Sequence, residues 1–386
     1  MKNNRTFLEK LLDGSEVKWI PLGDVADYEQ PTKYLVNSTV YNDNYPTPVL
    51  TAGKTFILGY TNEDEGIYFA SKSPVIIFDD FTTANKWVDF DFKAKSSAMK
   101  MITSKNEKFA LLKYIYYWLN TLPNNQTDGD HKRQWISNYA NKLIPIPPLS
   151  VQTEIVKILD ALTTLTSELT SELTSELILR QKQYEYYREK LLNIDEMNKV
   201  TELGDVGPVR MCKRILKNQT ANSGDIPFYK IGTFGKKPDA YISNELFQEY
   251  KQKYSYPKKG DILISASGTI GRTVIFDGEN SYFQDSNIVW IDNDETLVLN
   301  KYLYHFYKIA KWGIAEGGTI QRLYNDNLKK VKISIPPLKE QHRIVSILDK
   351  FETLTNSITE GLPLAIEQSQ KRYEYYRELL LNFHNP

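Results

Sequence analysis

The chain has 386 residues, with 48 Lys+Arg balanced by 48 Asp+Glu, 41% hydrophobic and 25% charged. That composition excludes a disordered polymer and supplies apolar residues for more than one core. One cysteine, Cys212, excludes a disulfide framework and fits a reducing compartment. No apolar run reaches the roughly 20 residues of a membrane span, and the opening MKNNRTFLEKLLDGSEVKW has no signal-peptide core, so the expected location is the cytoplasm, with no membrane partner.

Residues 1–149 read as mixed α/β. LGDV stands at Leu22–Val25, PVIIF (74–78) reads as a buried strand between turn residues, and FALLKYIYYWLN (109–120) has the spacing of an amphipathic helix. An irregular stretch and a last strand-like run lead into IPPL. From Pro147–Pro148 onward, Ile155, Ile158, Leu159, Leu162, Leu165, Leu169, Leu173 and Leu177 recur at three- and four-residue steps, predicting a long helix over 150–197. Within it TSEL occurs three times at 166–177. Residues 198–338 repeat the earlier order: LGDV at Leu203–Val206, DILIS (261–265), NIVWI (287–291) and the helical NKYLYHFYKIAKW (300–312). In 339–386, Ile344, Ile347, Leu348, Phe351, Leu354 and Ile358 restore the helical stripe.

The similarity extends to the letters. IPPLSVQTEIVKILD (146–160) matches IPPLKEQHRIVSILD (335–349), and QKQYEYYREKLLN (181–193) matches QKRYEYYRELLLN (370–382), both at an offset of 189. A long helix with one apolar stripe needs a partner, and its own copy is the obvious one. The expected fold is therefore α+β: two mixed α/β globular domains separated by a pair of long antiparallel, coiled-coil helices with an internal pseudo-two-fold repeat. Gly361 and Pro363 interrupt the second copy and predict a kink or break there.

No catalytic constellation is visible. TAGKT (51–55) contains GKT, but Pro48 stands where a phosphate-binding loop needs glycine. Pro238–Asp239 with Glu249, Tyr250 and Lys251 has the residue types of a PD…ExK metal nuclease, yet ELFQEYKQKY reads as a charged amphipathic stretch where such a site wants a strand inside a rigid sheet. The four histidines show no ligand spacing, so no metal is expected.

The doubled IPPL-x-x-Q-x-x-I-V-x-I-L-D, the doubled YEYYRE (184–189 and 373–378), the two LGD starts and GTIGR (268–272) resemble, as a set and over the whole chain, the specificity subunit of Type I restriction-modification enzymes. The resemblance implies target-recognition domains at 1–149 and 198–338, alternating with helical spacers at 150–197 and 339–386. Each domain would read one half of a split target in double-stranded DNA. The spacers would set the gap and dock two methyltransferase subunits, around which restriction subunits assemble. S-adenosylmethionine, ATP and Mg²⁺ would belong to those partners, with no cofactor and no catalytic residue on this chain. The first half departs from the pattern, reading SPVIIFDDFTTANK (73–86) where the second has GTIGR.

Charge supports DNA binding weakly: residues 200–338 hold 19 basic and 15 acidic residues, whereas 1–150 hold 17 of each. The candidate readers are Lys132, Arg133 and Gln134 in the first domain and Gln321 and Arg322 in the second, because Arg and Gln offer paired donors and acceptors to guanine and adenine edges. Gly268, Thr269, Gly271 and Arg272 form a tight turn expected to bring backbone to phosphate with Arg272 projecting. Phe78, Thr82, Thr83 and Lys86 are the corresponding choice in the first domain. In the YEYYRE copies, Tyr184, Tyr187, Tyr373 and Tyr376 are expected to divide between packing the helix pair and docking, with Arg188 and Arg377 facing the methyltransferase. Two other readings stay open: a self-contained nuclease using Asp239, Glu249 and Lys251, and a coiled-coil adaptor for proteins or glycans.

Overall fold

The computed structural model describes residues 6–53, 55–123, 133–193, 199–313 and 321–383. They form two compact units, Met1–Glu172 with Ile366–Pro386, and Leu173–Ala365.

The first unit contains α1 (Phe7–Leu12), β1 (Lys18–Pro21), α2 (Leu22–Val25), β2 (Ala26–Glu29), β3 (Thr47–Leu50), β4 (Ile57–Thr61), β5 (Val75–Asp79), β6 (Asn85–Val88), β7 (Lys93–Ala94), β8 (Met99–Ser104), α3 (Leu112–Leu119), α4 (Gln134–Ser137) and β9 (Leu143–Ile146). Strands β2-β8-β5-β6 form an antiparallel sheet, β4-β3-β7 a second sheet, and β1 pairs with β9. Strand β5 is apolar throughout because both faces are covered: Ile76 and Phe78 join the core under α3, and Val75 and Ile77 join the core with Phe92 and Ala94.

Into the second unit runs α5 (Leu149–Leu192), one continuous helix of 44 residues that the two units share. There follow β10 (Lys199–Glu202), α6 (Leu203–Val206), β11 (Val209–Met211), β12 (Ile226–Tyr229), β13 (Tyr241–Ile242), α7 (Asn244–Lys253), β14 (Ile262–Ser265), β15 (Thr273–Ile275), β16 (Tyr282–Phe283), β17 (Ile288–Ile291), α8 (Asn300–Tyr307), α9 (Asn325–Lys329) and β18 (Lys332–Ile335). The sheets β11-β17-β14-β15, β13-β12-β16 and β10-β18 repeat those of the first unit strand for strand, including one parallel pair, β12–β16, matching β3–β7. One fold is thus used twice. Among the described residues, α7 stands apart as an insertion between β13 and β14.

The second helical copy is broken, as Gly361 and Pro363 predict. Helix α10 (Leu338–Asn356) stops, and α11 (Leu362–Leu381) begins after Gly361, whose φ of +91° suits glycine. A Cβ at Gly361 would lie 2.5 Å from the Thr353 carbonyl oxygen. Pro363 falls in the first turn of α11, where its missing N–H costs little. Within the first unit the start of α5 lies along α11: Thr163 Oγ1 meets the Tyr373 hydroxyl at 3.1 Å, and Leu380 and Leu381 share a core with Val151 and Ile155. Within the second unit the end of α5 lies along α10: Tyr184 and Tyr187 stack on Phe351 at 6.2 and 5.7 Å, and Leu192 joins Ile344 and Leu348. The order of contacts makes each pair antiparallel. The helical segments therefore belong to the units on which they pack, and the chain divides at 172/173 and 365/366.

The repeated glutamine has a structural explanation. Gln152 is fully buried; its amide oxygen accepts from Leu111 N at 3.0 Å, and Nε2 donates to the Phe109 and Pro147 carbonyls at 2.9 Å. Gln341 does the same with Leu299 N and the carbonyls of Leu297 and Pro336, all at 2.9 Å. Each glutamine ties the start of a repeat helix to the loop that opens α3 or α8. Replacing either by Ala loses three bonds and strands their partners, an expected cost of about 3 kcal/mol. Urea unfolding checks this; a loss well under 1 kcal/mol would contradict it.

Candidate nucleic-acid interface

At the tip of the β5–β6 hairpin, Thr83 takes a φ of +64° and its N–H donates to the Asp79 carbonyl at 2.9 Å, while Thr82 Oγ1 donates to Asp79 Oδ2 at 2.8 Å. The next residue, Asp80, is buried and faces the equally buried Lys100 of β8 at 3.6 Å. Asp80 Oδ1 accepts from Trp135 N and its carbonyl accepts from Gln134 N, both at 2.8 Å. With the Gln30 amide oxygen turned toward the cations, it accepts from Arg133 Nη1 at 3.3 Å and Lys100 Nζ at 3.0 Å. Lys100 also lies 4.8 Å from the centre of the Tyr28 ring. One residue, through its carboxylate and its backbone carbonyl, therefore fastens the start of α4 to the hairpin tip, placing Arg133 and Gln134 beside Thr82 and the exposed Tyr28, Phe81 and Ile136.

Two expectations in this corner need correction. Phe78 is fully buried, edge-on to Trp135 at 5.3 Å and Tyr139 at 5.0 Å, so it is core rather than a DNA contact. Thr83 is 1% exposed and serves the turn. Lys86 is exposed on β6, and Lys132 lies outside the described residues.

The second unit builds its corner at the equivalent β14–β15 turn. Gly268 and Gly271 have φ of +66° and +80°, and a Cβ on Gly271 would lie 2.2 Å from Trp312 Nε1. Leu323 N donates to the Ala266 carbonyl at 2.8 Å and Arg322 bridges to Ser267, which sets Gln321 and Arg322, both exposed, beside the turn and the exposed Thr269. Arg322 Nη2 donates to Asn287 Oδ1 at 3.1 Å, and Ser267 Oγ donates to the same oxygen at 2.9 Å. Arg272 departs from expectation: half-buried, it donates from Nη1 to the Phe234 carbonyl at 3.1 Å and from its backbone N to Ser265 Oγ at 2.9 Å, so it anchors the turn instead of projecting. Gly271→Ala should disrupt this corner through both the φ and the Trp312 contact, at roughly 1–3 kcal/mol. Loss of discrimination at one half-site only, in a DNA-retention assay, is the expected readout; unchanged discrimination would contradict it.

Sequence reasoning chose the loops but missed what holds them. Asp80, Lys100, Gln30 and Asn287 follow no motif. One signal was present: Lys100 interrupts the apolar strand MKMITS, and a lysine at a core position requires a partner.

In the YEYYRE copies, Tyr184 is buried, stacked on Phe351 with its hydroxyl 3.4 Å from His305 Nδ1, so it is a core residue rather than a docking group. Tyr373 is half-buried. Tyr187 and Tyr376 are about equally exposed, and Tyr186 and Tyr375, which the sequence reading passed over, are more exposed still, each pair meeting edge to face. Arg188 and Arg377 are half-buried, each laid over the tyrosine four residues earlier at 5.0 and 5.7 Å.

His305, Asp349 and Glu352 bring ligand-type atoms within 4.8 Å of one another, a cluster that spacing did not reveal. Its carboxylates are already engaged: Asp349 meets His305 at 2.8 Å and Lys301 at 3.3 Å, while Glu352 accepts from Tyr304 at 2.7 Å and pairs with Lys308. The first unit places Tyr117 and Lys113 on Asp160 in the same position. This is an ion-pair network fastening α8 to α10. Burial alone would raise the Asp349 carboxyl, but His305 and Lys301 outweigh it and hold the group below its ordinary value. A depressed carboxyl contributes stability above its unfolded pKa of about 3.9 and loses it as pH falls through the folded value. Asp349→Asn should flatten this acid limb of the stability curve; an unaltered limb would contradict the assignment.

The nuclease residues do not converge. Asp239 pairs with Lys230 at 2.9 Å, Glu249 pairs with Lys253 at 3.0 Å on α7, and Lys251 lies over the Phe247 and Tyr256 rings. Among the described residues, no helix is long and apolar enough to cross a membrane.

Comparison with known proteins agrees with this architecture. The family model described as Type I restriction modification DNA specificity domain matches residues 14–178 and 195–368. A putative type I restriction enzyme specificity subunit of Haemophilus influenzae is 71% identical over 99% of this chain and 100% of its own. A type I restriction enzyme specificity subunit of Escherichia coli is 49% identical over 99% and 98%. Among solved structures, a chain from a type I R-M system superposes with a TM-score of 0.64 at 18% identity, covering 96% of this chain and 98% of that one. The HsdS subunit of Thermoanaerobacter tengcongensis superposes with a TM-score of 0.52 at 18% identity, covering 99% and 98%. With two copies of the fold, two matches to the family model and relatives that align from end to end, the chain belongs to the Type I restriction modification DNA specificity domain family.

Proposed function

We propose that the chain is the DNA-recognition component of a type I restriction-modification complex, each unit reading one half of a split duplex target. The observation that carries this reading is the pair of equivalent corners: in each unit, two loops far apart in sequence meet at the same place on the same sheet. Arg133 and Gln134 with Thr82 and Phe81 form one reading surface. Arg322 and Gln321 with the 268–271 turn form the other. An arginine held by a neighbouring amide presents a pre-set fork to a guanine edge.

The chain takes no part in the bond-making steps. Two methyltransferase subunits dock on the YEYYRE helices, at the exposed Tyr186–Tyr187 and Tyr375–Tyr376 pairs, and restriction subunits join them. S-adenosylmethionine, ATP and Mg²⁺ are held by those partners, and the complex works on DNA in the cytoplasm. The formal net charge of zero fits this division of labour, with partners supplying much of the phosphate contact. Mapping methylated adenines or cytosines in DNA exposed to the assembled complex tests the proposal. The expected motif has two short specified blocks separated by an unread gap and modified on both strands. A single uninterrupted motif would contradict it.

A further inference from the structure

The two docking faces are not equivalent in charge. In the second unit the end of α5, the end of α8 and the approach to β18 enclose a cleft of about 1210 Å³. Arg188, Lys190, Lys311, Lys330 and Lys332 line it, as does Lys308, which is paired with Glu352, and among the described residues Glu189 is the one acidic side chain in the lining. The four lysines first named are exposed and have no ion-pair partner among the described residues. At the matching positions of the first unit stand Leu379, Pro123, Asn141 and Leu143 in place of those lysines, with Arg377 and Glu378 retained. The repeat has kept the aromatic pair and the arginine and has varied the charge around them.

We infer that this cleft receives an acidic segment of the methyltransferase subunit bound to the second unit, so that one of the two docking sites is electrostatic and the other is not. The inference rests on the docking role given above to the YEYYRE helices. Charge complementarity fixes the chemistry, since an array of unpaired lysines around a recess calls for carboxylates. Continuity fixes the partner, because one wall of the cleft is the YEYYREK stretch itself, with Tyr186 exposed at its edge. Duplex DNA is the rival occupant: the Lys311–Gly313 wall flanks Trp312, which packs on the Gly271 turn. A recess between three elements accepts a chain segment more readily than a rigid duplex.

The test uses the full chain and the methyltransferase subunit, counted by native mass spectrometry across a titration at about 50 and about 300 mM KCl, a range over which surface charge is progressively screened. The wild-type chain should bind two copies at low salt and shed one as salt rises. A chain carrying Lys190→Glu, Lys311→Glu, Lys330→Glu and Lys332→Glu should bind one copy normally and the second at least about tenfold more weakly, the sum of several exposed ion pairs lost and reversed. The corresponding Lys→Gln chain should show a smaller loss at the same site, and the undisturbed first site reports that the fold is intact. Equal affinity of both sites in the reversed variant, or loss of both copies in the Lys→Gln variant, would overturn the inference. So would unchanged assembly with weakened retention of duplex DNA, which would give the cleft to phosphate. A wild-type chain that takes up no methyltransferase at either salt would instead remove the docking reading itself.

Discussion

Inserting a fourth TSEL unit after Leu177 should lengthen the unread gap of the DNA target by one base pair or two while leaving both half-sites unchanged. Four helical residues add about 6 Å and turn about 400°, a net rotation of about 40°. One base pair of B-DNA advances about 3.4 Å and turns about 35°. The rotation therefore matches nearly one base pair, and the rise falls between one and two. The array suits this role because it packs lightly: no residue of α5 from 161 to 183 is fully buried, and Leu165 and Leu169 are exposed. Glu168, Glu172 and Glu176 repel at i, i+4, so local stability is not what the array optimises. The division between the units falls inside it, at Glu172/Leu173. The interruption between α10 and α11 supplies slack in the second copy. Methylation mapping of three- and four-unit variants decides the point, and an unchanged gap would sink the spacer role.

Asp80→Ala should destabilise the first unit by about 3–5 kcal/mol, because it leaves Lys100 buried and unpaired, and should abolish reading of one half-site. Asp80 and Lys100 are almost without solvent contact, and the Asp80 carboxylate also holds Trp135 N at the reading surface. An Asp80→Leu, Lys100→Met chain should recover most of the stability, since no charge is then stranded, yet should still misread that half-site because the carboxylate that holds Trp135 N, and with it the orientation of α4, is gone. Stability measured by urea unfolding and specificity measured by DNA retention should therefore separate in the double variant. If stability and reading returned together, the positioning role of Asp80 would be wrong.

Local pattern carried most of the fold. Strand β5, helices α3 and α8, the helical copies and the break at Gly361 are each written in periodicity, proline or glycine, because their burial or backbone geometry constrains side chains within a few residues. The two-sheet arrangement and the insertion α7 were not legible, since pairing such as β3 with β7 joins residues more than forty apart through backbone groups that carry no sequence signal. The same limit applies to the candidate site. Arg133, Gln134, Gln321 and Arg322 could be chosen by chemistry and position, but Asp80 and Asn287 act across the fold and are ordinary loop residues in the sequence. Phe78 was misplaced for a related reason: it closes an apolar strand, and its neighbours Trp135 and Tyr139 arrive from a distant segment to cover it. Which tyrosine of each copy packs was likewise not legible: Tyr184 does, because Phe351 and His305 close over it from α10 and α8.

The central claim is that each unit reads one half-site by itself. It is tested most directly by exchanging residues 1–149 for the same region of another family member and mapping the methylated motif of the assembled complex. One specified block should change, while the other block and the gap stay as they were; a change in both blocks would contradict the account.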